Sequence, residues 1–263
     1  MGGVPSNQTL ILDLWWLSVI LQFTVCLRLV ASGLWRSYPR FVGYLGALAI
    51  ESCVLISLTH PGKLYRRAWV VTRVVLLALE LLAVLEIFNR WSASYPGIGR
   101  FGRRLLLVLL ALATGLSVST LPIAWSSKGW IVATYIISIA NRAVQAGLAA
   151  FLIFMLVFFL KFGGPVAANL RRHTWAMTVF ITANTLGYFV ITARAYELGN
   201  TLLQAVVVGS LIYWLFALRI SGDKAPVAPV DGPGRWEAAE EMNRQLMDFA
   251  SSVKQSRRAV GKK

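Results

Sequence analysis

The sequence predicts an all-α, polytopic membrane protein with seven transmembrane helices, an outside N-terminus and a cytoplasmic C-terminus. Of the 263 residues, 57% are hydrophobic and 14% are charged, whereas an ordinary soluble domain has about 25% charged residues. The chain also contains seven apolar segments of about 20 residues or more, which is the length that crosses the hydrocarbon core of a bilayer. Basic residues are unevenly divided between the connectors of these segments.

The seven segments follow one another with short connectors, most of which contain Pro or Gly and therefore stop a helix. Between the sixth and seventh segments only AYELGN intervenes, where Glu197, Gly199 and Asn200 predict a turn. The segments cover residues 9–35, 40–59, 65–89, 102–122, 130–161, 173–194 and 200–220. We therefore assign residues 1–221 to one transmembrane domain.

The connectors indicate the orientation. With the N-terminus outside, the inner connectors hold 10 basic residues and the outer ones hold 5. Because positively charged residues are retained on the cytoplasmic side, this arrangement is favoured over its inverse. The whole chain carries a formal charge of +15, and its first 221 residues contain 18 basic and 5 acidic residues. This excess of basic residues beside apolar segments suits anionic lipid headgroups and argues against a nucleic-acid partner.

Several kinds of chemistry are disfavoured by what the sequence lacks. The predicted topology places His60 and His173 at opposite membrane faces, so they cannot bind one metal or haem, and no metal or cofactor is expected. Cys26 and Cys53 are expected at different depths, which argues against a disulfide between them. The last helix has no lysine for a retinal Schiff base, and no catalytic motif is present. An enzyme is therefore disfavoured.

Charged residues within the apolar segments are the main candidates for a functional site, because a charge in hydrocarbon usually needs a partner or a wet cavity. Glu51, Arg73 and Arg142 are predicted at similar depth on the second, third and fifth helices. Ionised, they carry a net charge of +1, which an anion would balance. Glu80 follows Arg73 by seven residues and so shares its helix face.

Three amides, Asn141, Gln145 and Asn184, add polar groups on the fifth and sixth helices. The predicted ligand or ion pocket therefore consists of Glu51, Arg73, Glu80, Asn141, Arg142 and Asn184. A second interpretation stays open, in which the charges clamp the helices together and the amides only bond between helices.

Glu86 has a separate interpretation. It lies near the inner boundary of the third helix, six residues after Glu80, and the two point about 120° apart. Glu86 precedes Arg90 by four residues, the favourable order for an ion pair on a helix surface. The sequence therefore predicts an interfacial Glu86–Arg90 pair.

The chain after residue 221 has a different composition. Residues 222–234 form a Pro- and Gly-rich linker, and residues 235–263 form an amphipathic basic helix and tail with an apolar stripe. On the inner leaflet, Trp236 and Phe249 would face lipid, and Arg257 and Arg258 would contact lipid phosphates. The alternative is that residues 235–258 dock on a partner protein. Two heptads are too short for an isolated coiled coil.

Three stretches resemble a known group of proteins. RSYPRFVGYL before the second helix, LEIFNRW at the end of the third and YPGIGRFGRR before the fourth resemble small seven-helix membrane proteins found in acidobacterial genomes. The resemblance covers about the first 110 residues and implies the seven-helix topology and a bacterial inner membrane. That group has no established activity, so the resemblance transfers no site residues.

Three functions remain open on the sequence. The first is a sensor or receptor-like protein whose intramembrane pocket binds a small anionic or polar ligand. The second is a small solute or proton-linked transporter, although paired mid-helix Gly or Pro breaks are missing. The third is an accessory subunit of a larger membrane complex, which would cover the stripe of the tail.

Overall fold

Seven α-helices make up nearly all of the computed structural model, which describes residues 6–58, 62–93, 96–119, 130–162, 167–192, 196–219, 222, 237, 240–241 and 243–248. The helices are α1 (Ser6–Ala31), α2 (Pro39–Ser57), α3 (Lys63–Trp91), α4 (Pro96–Ser119), α5 (Trp130–Phe162), α6 (Ala168–Thr192) and α7 (Tyr196–Ala217). None of these residues lies in a strand. The predicted all-α class is therefore confirmed.

Five of the seven helices, namely α1, α2, α4, α5 and α7, are long and apolar enough to cross a membrane. The chain is thus built as a multi-pass membrane protein. The other two helices are α3, whose apolar run contains Arg73, Glu80 and Glu86, and α6, whose first turns contain Arg171 and Arg172. A count of seven spans and the direction of the termini stay predictions.

The helices form a ring around a buried core. In this ring α1 packs against α2 and α7, α2 packs against α3, and α3 packs against α5 and α6. The ring closes through the contacts of α5 with α6 and of α6 with α7, while α4 lies outside it against α5. Trp214, Phe41 and Phe151 are among the largest side chains buried inside. This order brings the polar residues of α2, α3 and α5 next to one another.

Three helix starts lie four or more residues before the predicted ones. α7 begins at Tyr196 instead of residue 200, so the predicted turn residues Glu197, Gly199 and Asn200 belong to the start of this helix. α4 begins at Pro96 instead of residue 102, and α6 begins at Ala168 instead of residue 173. Pro96 fits the first helical position, where its fixed φ suits the helix and its missing N–H costs nothing. The α6 start is polar, so hydropathy excluded it from the apolar segment, yet its side chains reach α7. Between α1 and α2, Gly33 has a φ of 74°, which glycine adopts without strain.

Candidate functional site

The centre of the candidate site is an ion pair between α2 and α3. Arg73 Nη2 lies 3.4 Å from Glu51 Oε2, and the Glu51 side chain is only 4% exposed. The Thr72 hydroxyl lies 3.0 Å from the other carboxylate oxygen of Glu51. Both oxygens of Glu51 therefore have partners on α3, and the charge of Arg73 is balanced across the α2–α3 contact.

Glu80 lies close to this pair but is bonded differently. It is 3% exposed and interacts electrostatically with Arg73, from the same face of α3. On the neighbouring helix α5, Gln145 is within hydrogen-bonding reach of the Glu80 carboxylate. Oε1 of Glu80 has no hydrogen-bond partner. Two helices thus enclose a carboxyl group that is only partly satisfied.

The α5 side of the site consists of two amides one helical turn apart. Asn141 is fully buried and Gln145 is 3% exposed, and their four-residue separation places them on one face of α5. Neither the nitrogen nor the oxygen of the Asn141 amide has a hydrogen-bond partner, and Gln145 Oε1 and Arg73 Nε also lack one. Below, "the polar cluster" means Glu51, Thr72, Arg73, Glu80, Asn141 and Gln145.

Two tyrosines extend the polar cluster beyond the residues that the sequence indicated. Tyr44 on α2 interacts electrostatically with Glu80, Arg73 and Glu51, and Tyr188 on α6 interacts with Arg73. Asn184 is also buried on α6, but no hydrogen bond joins it to the described part of α2, α3 or α5. Tyrosine carries no charge at neutral pH, which is why a search for intramembrane charges misses it.

Arg142 lies apart from the two acidic residues with which it was grouped. Its Nη2 donates a hydrogen bond to the backbone oxygen of Ser117 on α4, at 2.7 Å. Residue 142 is rotated about 100° from Asn141 around α5, so it faces the outer helix while Asn141 faces the ring. Neither Glu51 nor Glu80 has an ion pair with it. Without Arg142, the charged groups of the predicted pocket are Glu51, Arg73 and Glu80, and their net charge is −1 when all are ionised.

Glu86 also has other partners than predicted. Its carboxylate oxygens accept hydrogen bonds from the backbone N–H groups of Arg40, at 3.4 Å, and Phe41, at 3.1 Å, in the first turn of α2. The guanidinium of Arg90 lies 4.5 Å from the ring centroid of Tyr38, so Arg90 and Glu86 interact electrostatically without forming an ion pair within 4 Å. Unbonded N–H groups and the positive end of the helix dipole attract the carboxylate to α2.

A second buried group surrounds His173 on α6. His173 Nδ1 accepts a hydrogen bond from Trp214 Nε1 at 3.1 Å, and its ring centroid lies 4.2 Å from that of Phe41. Next to it, Trp91 Nε1 donates to the Thr174 hydroxyl at 2.8 Å. The described residues contain no group of three or more His, Cys, Asp or Glu that could hold a metal ion. This arrangement of rings joins α2, α3, α6 and α7.

The C-terminal end of α7 is held by side chains from two other helices. Arg28 of α1 donates to the backbone oxygen of Leu218 at 3.0 Å, and Arg172 of α6 donates to that of Ala217 at 3.1 Å. Asn169 accepts a hydrogen bond from the Arg219 backbone N–H at 3.0 Å. These contacts satisfy carbonyl groups that end a helix without a partner, and the cations suit its negative end.

Part of the C-terminal segment packs against the helix bundle. Leu246, which belongs to the helical stretch 243–248, packs against Ile98 of α4, as does Phe158 of α5. These residues and the aromatic side chains around them line an apolar cavity of about 110 Å³. Met247 also contacts Arg100. The predicted lipid or partner contacts at Trp236, Phe249, Arg257 and Arg258, like His60, fall outside the described residues.

No protein-family model matches this chain, and neither a curated protein nor a solved structure matches it.

Proposed function

We propose that the chain is a receptor-like protein of the bacterial inner membrane, with seven membrane-spanning helices, an outside N-terminus and a cytoplasmic C-terminus. Support for seven spans comes from the outer surface, because every helix carries a large apolar side chain that is more than half exposed. Examples in chain order are Leu27, Ile50, Val71, Leu112, Val157, Leu186 and Phe216. Exposed apolar surface on all sides suits a protein surrounded by lipid.

Cysteine labelling tests the orientation. In a variant without the two native cysteines, a single cysteine at Ser37 should react with a membrane-impermeant maleimide only after the inner face is opened. A single cysteine at Gly62 should react in intact cells. The reverse pattern would exclude the proposed orientation, and equal labelling of both positions from outside would exclude a span between them.

In this proposal the polar cluster binds a small polar ligand. The main support is that buried polar atoms on Arg73, Glu80, Asn141 and Gln145 have no hydrogen-bond partner. Each such atom costs about 1–3 kcal/mol when nothing bonds to it. Because the atoms include both donors and acceptors, a ligand with both kinds of group would satisfy them. The net charge of −1 favours a neutral or cationic ligand over the anion suggested by the sequence.

The proposed output involves the segment after α7. Leu246 packs against α4 and lines an apolar cavity together with residues of α5, the helix that carries Asn141 and Gln145. A ligand that changes the packing of α5 would therefore alter the surface on which this segment lies. Residues 235–258 could then bind a partner protein or anionic lipid headgroups differently in the two states, which gives the receptor-like protein a signal.

Thermal stability in mild detergent tests the ligand site. A panel of small amines, amino acids and neutral polar metabolites is added to the wild type, to Asn141→Leu and to Thr178→Val. Thr178 is a matched control, because it is also buried but bonds within α6 to the oxygen of Thr174. A ligand at 100 times its Kd should add about 2.7 kcal/mol of stability, and the effect should be absent only from Asn141→Leu. Stabilisation that persists in Asn141→Leu would contradict the proposal, as would a panel without any effect.

A proton-linked carrier is the second candidate, favoured by the partly satisfied carboxyl of Glu80 in the membrane interior. Such carriers move protons through titrating acidic side chains. The assay is the internal pH of proteoliposomes under an imposed pH gradient, with Glu80→Gln as the inactive variant and Glu86→Gln as the control. Equal proton flux in empty and protein-containing vesicles would exclude it.

A further inference from the structure

Charge balance in the polar cluster leaves Glu80 without a cation of its own. The charge of Arg73 is already matched by Glu51 at 3.4 Å, and Thr72 bonds to the same carboxylate. Among the residues that the structure describes, no Lys or Arg lies within 4 Å of Glu80. An ionised carboxylate in this position would be stabilised by a cation from outside the chain, because a buried charge without a close counter-charge costs several kcal/mol.

The atoms around Glu80 are of the kind that binds a hard cation. Gln145 is within hydrogen-bonding reach of the Glu80 carboxylate, and Asn141 lies one turn earlier on the same face of α5. Three buried side-chain oxygens at these positions on α3 and α5 lack hydrogen-bond partners, namely Glu80 Oε1, Asn141 Oδ1 and Gln145 Oε1. Carboxylate and amide oxygens are the ligands of hard metal ions, whereas soft metals require sulfur or imidazole.

The net charge points to the valence of the ion. The polar cluster carries −1 when its three charged groups are ionised, which one monovalent cation neutralises. A divalent ion would leave a net positive charge in a region of low dielectric constant, and calcium sites usually use several carboxylates. We propose that Glu80, Asn141 and Gln145 bind a small monovalent cation, represented by Na⁺, between α3 and α5, with water completing its coordination.

This inference rests on the proposed function, since both use the polar cluster. The cation would use the three oxygens, whereas the polar ligand would accept hydrogen bonds from the two donors without a partner, Arg73 Nε and Asn141 Nδ2. Occupation by Na⁺ would join α3 to α5 and so stiffen the contact that the ligand must use.

The test measures the melting temperature of the whole purified chain against Na⁺ concentration, with choline keeping the ionic strength constant. The melting temperature of the wild type should rise with the logarithm of Na⁺ concentration once the site begins to fill. Glu80→Gln keeps the shape of the side chain and should lose this dependence. Glu86→Gln removes another largely buried acidic group from α3 and should keep it.

If Glu80→Gln does not fold, a direct measurement of Na⁺ binding tests the inference. Equilibrium binding of radioactive Na⁺ to the wild type should saturate at a single ion per chain, and Asn141→Ala should weaken it at least tenfold. A wild type that binds no Na⁺ and melts independently of it would overturn the inference, and such a result would indicate a protonated Glu80. So would an unchanged dependence in Glu80→Gln.

The ligand panel, repeated in choline without Na⁺, separates the two proposals. Stabilisation by a panel compound together with no Na⁺ effect removes the cation site and leaves the receptor-like function. A Na⁺ effect that depends on Glu80, with no active compound in the panel, keeps the cation site and counts against the receptor-like function.

Discussion

Replacing Glu86 by Ala should destabilise the protein by removing the acceptor at the start of α2. Glu86 is 8% exposed and accepts the N–H groups of Arg40 and Phe41. The N-cap residue of α2, Tyr38, makes no side-chain capping bond, so α3 supplies the cap. Without the carboxylate, two N–H groups in the first turn of α2 lose their partner.

The magnitude follows from two contributions. Loss of a capping group costs about 0.5–2 kcal/mol, and loss of a negative charge at a partly buried helix N-terminus costs up to about 2 kcal/mol. We therefore expect Glu86→Ala to lower the free energy of unfolding by about 0.5–4 kcal/mol. Glu86→Gln keeps one acceptor oxygen, so it loses the charge and one of the two hydrogen bonds, and it should cost less than Glu86→Ala.

Equilibrium unfolding in mixed micelles measures both variants, and a double-mutant cycle identifies the partner of Glu86. Because the structure has no Glu86–Arg90 ion pair within 4 Å, Glu86→Gln and Arg90→Gln should have nearly additive effects, with a coupling below about 0.5 kcal/mol. A coupling above about 1 kcal/mol would support the ion pair predicted from the sequence. If Glu86→Ala were as stable as the wild type, the capping role of Glu86 would be refuted.

Two further predictions concern packing on α4. Gly102→Ala should destabilise by about 1–3 kcal/mol through overpacking, because its Cβ would lie 2.4 Å from Phe88 Cζ. Gly115→Ala in the same helix has nothing within 4 Å and should instead gain about 0.5–1 kcal/mol from helix propensity; similar effects of both changes on unfolding would contradict this assignment. Leu246→Glu should release the C-terminal segment, because it places a charge against Ile98. A cysteine at Ile98 should then react faster with a water-soluble maleimide. Leu246→Met should leave this rate unchanged. Equal rates in the wild type, Leu246→Glu and Leu246→Met would show that Leu246 does not cover this surface.

The helices were predictable because hydropathy and helix stops are local properties of the sequence. The predicted range 130–161 became Trp130–Phe162, and the predicted range 40–59 became Pro39–Ser57. The shared face of Arg73 and Glu80 also follows from spacing within one helix. Errors at the starts of α4 and α6 arose where a helix begins with polar or Gly-rich sequence that hydropathy assigns to a loop.

Partners between helices could not be derived in this way. The sequence paired charge with charge, and on that basis it placed Arg142 with Glu51 and Glu86 with Arg90. In the structure Arg28, Arg142 and Arg172 donate to backbone carbonyl groups of other helices, and Glu86 accepts from backbone N–H groups. Every residue carries these backbone groups, so the sequence gives no signal of which one will be used.

By itself, the sequence determined that this protein is a bundle of apolar helices with polar groups at particular depths, since burial in lipid depends on composition. Only the tertiary structure decided which of those groups meet, because the rotation and order of the helices depend on packing between distant segments. That packing places Glu51, Arg73 and Glu80 beside Asn141 and Gln145, and it directs Arg142 to α4. The charged groups of the candidate site are therefore Glu51, Arg73 and Glu80, without Arg142.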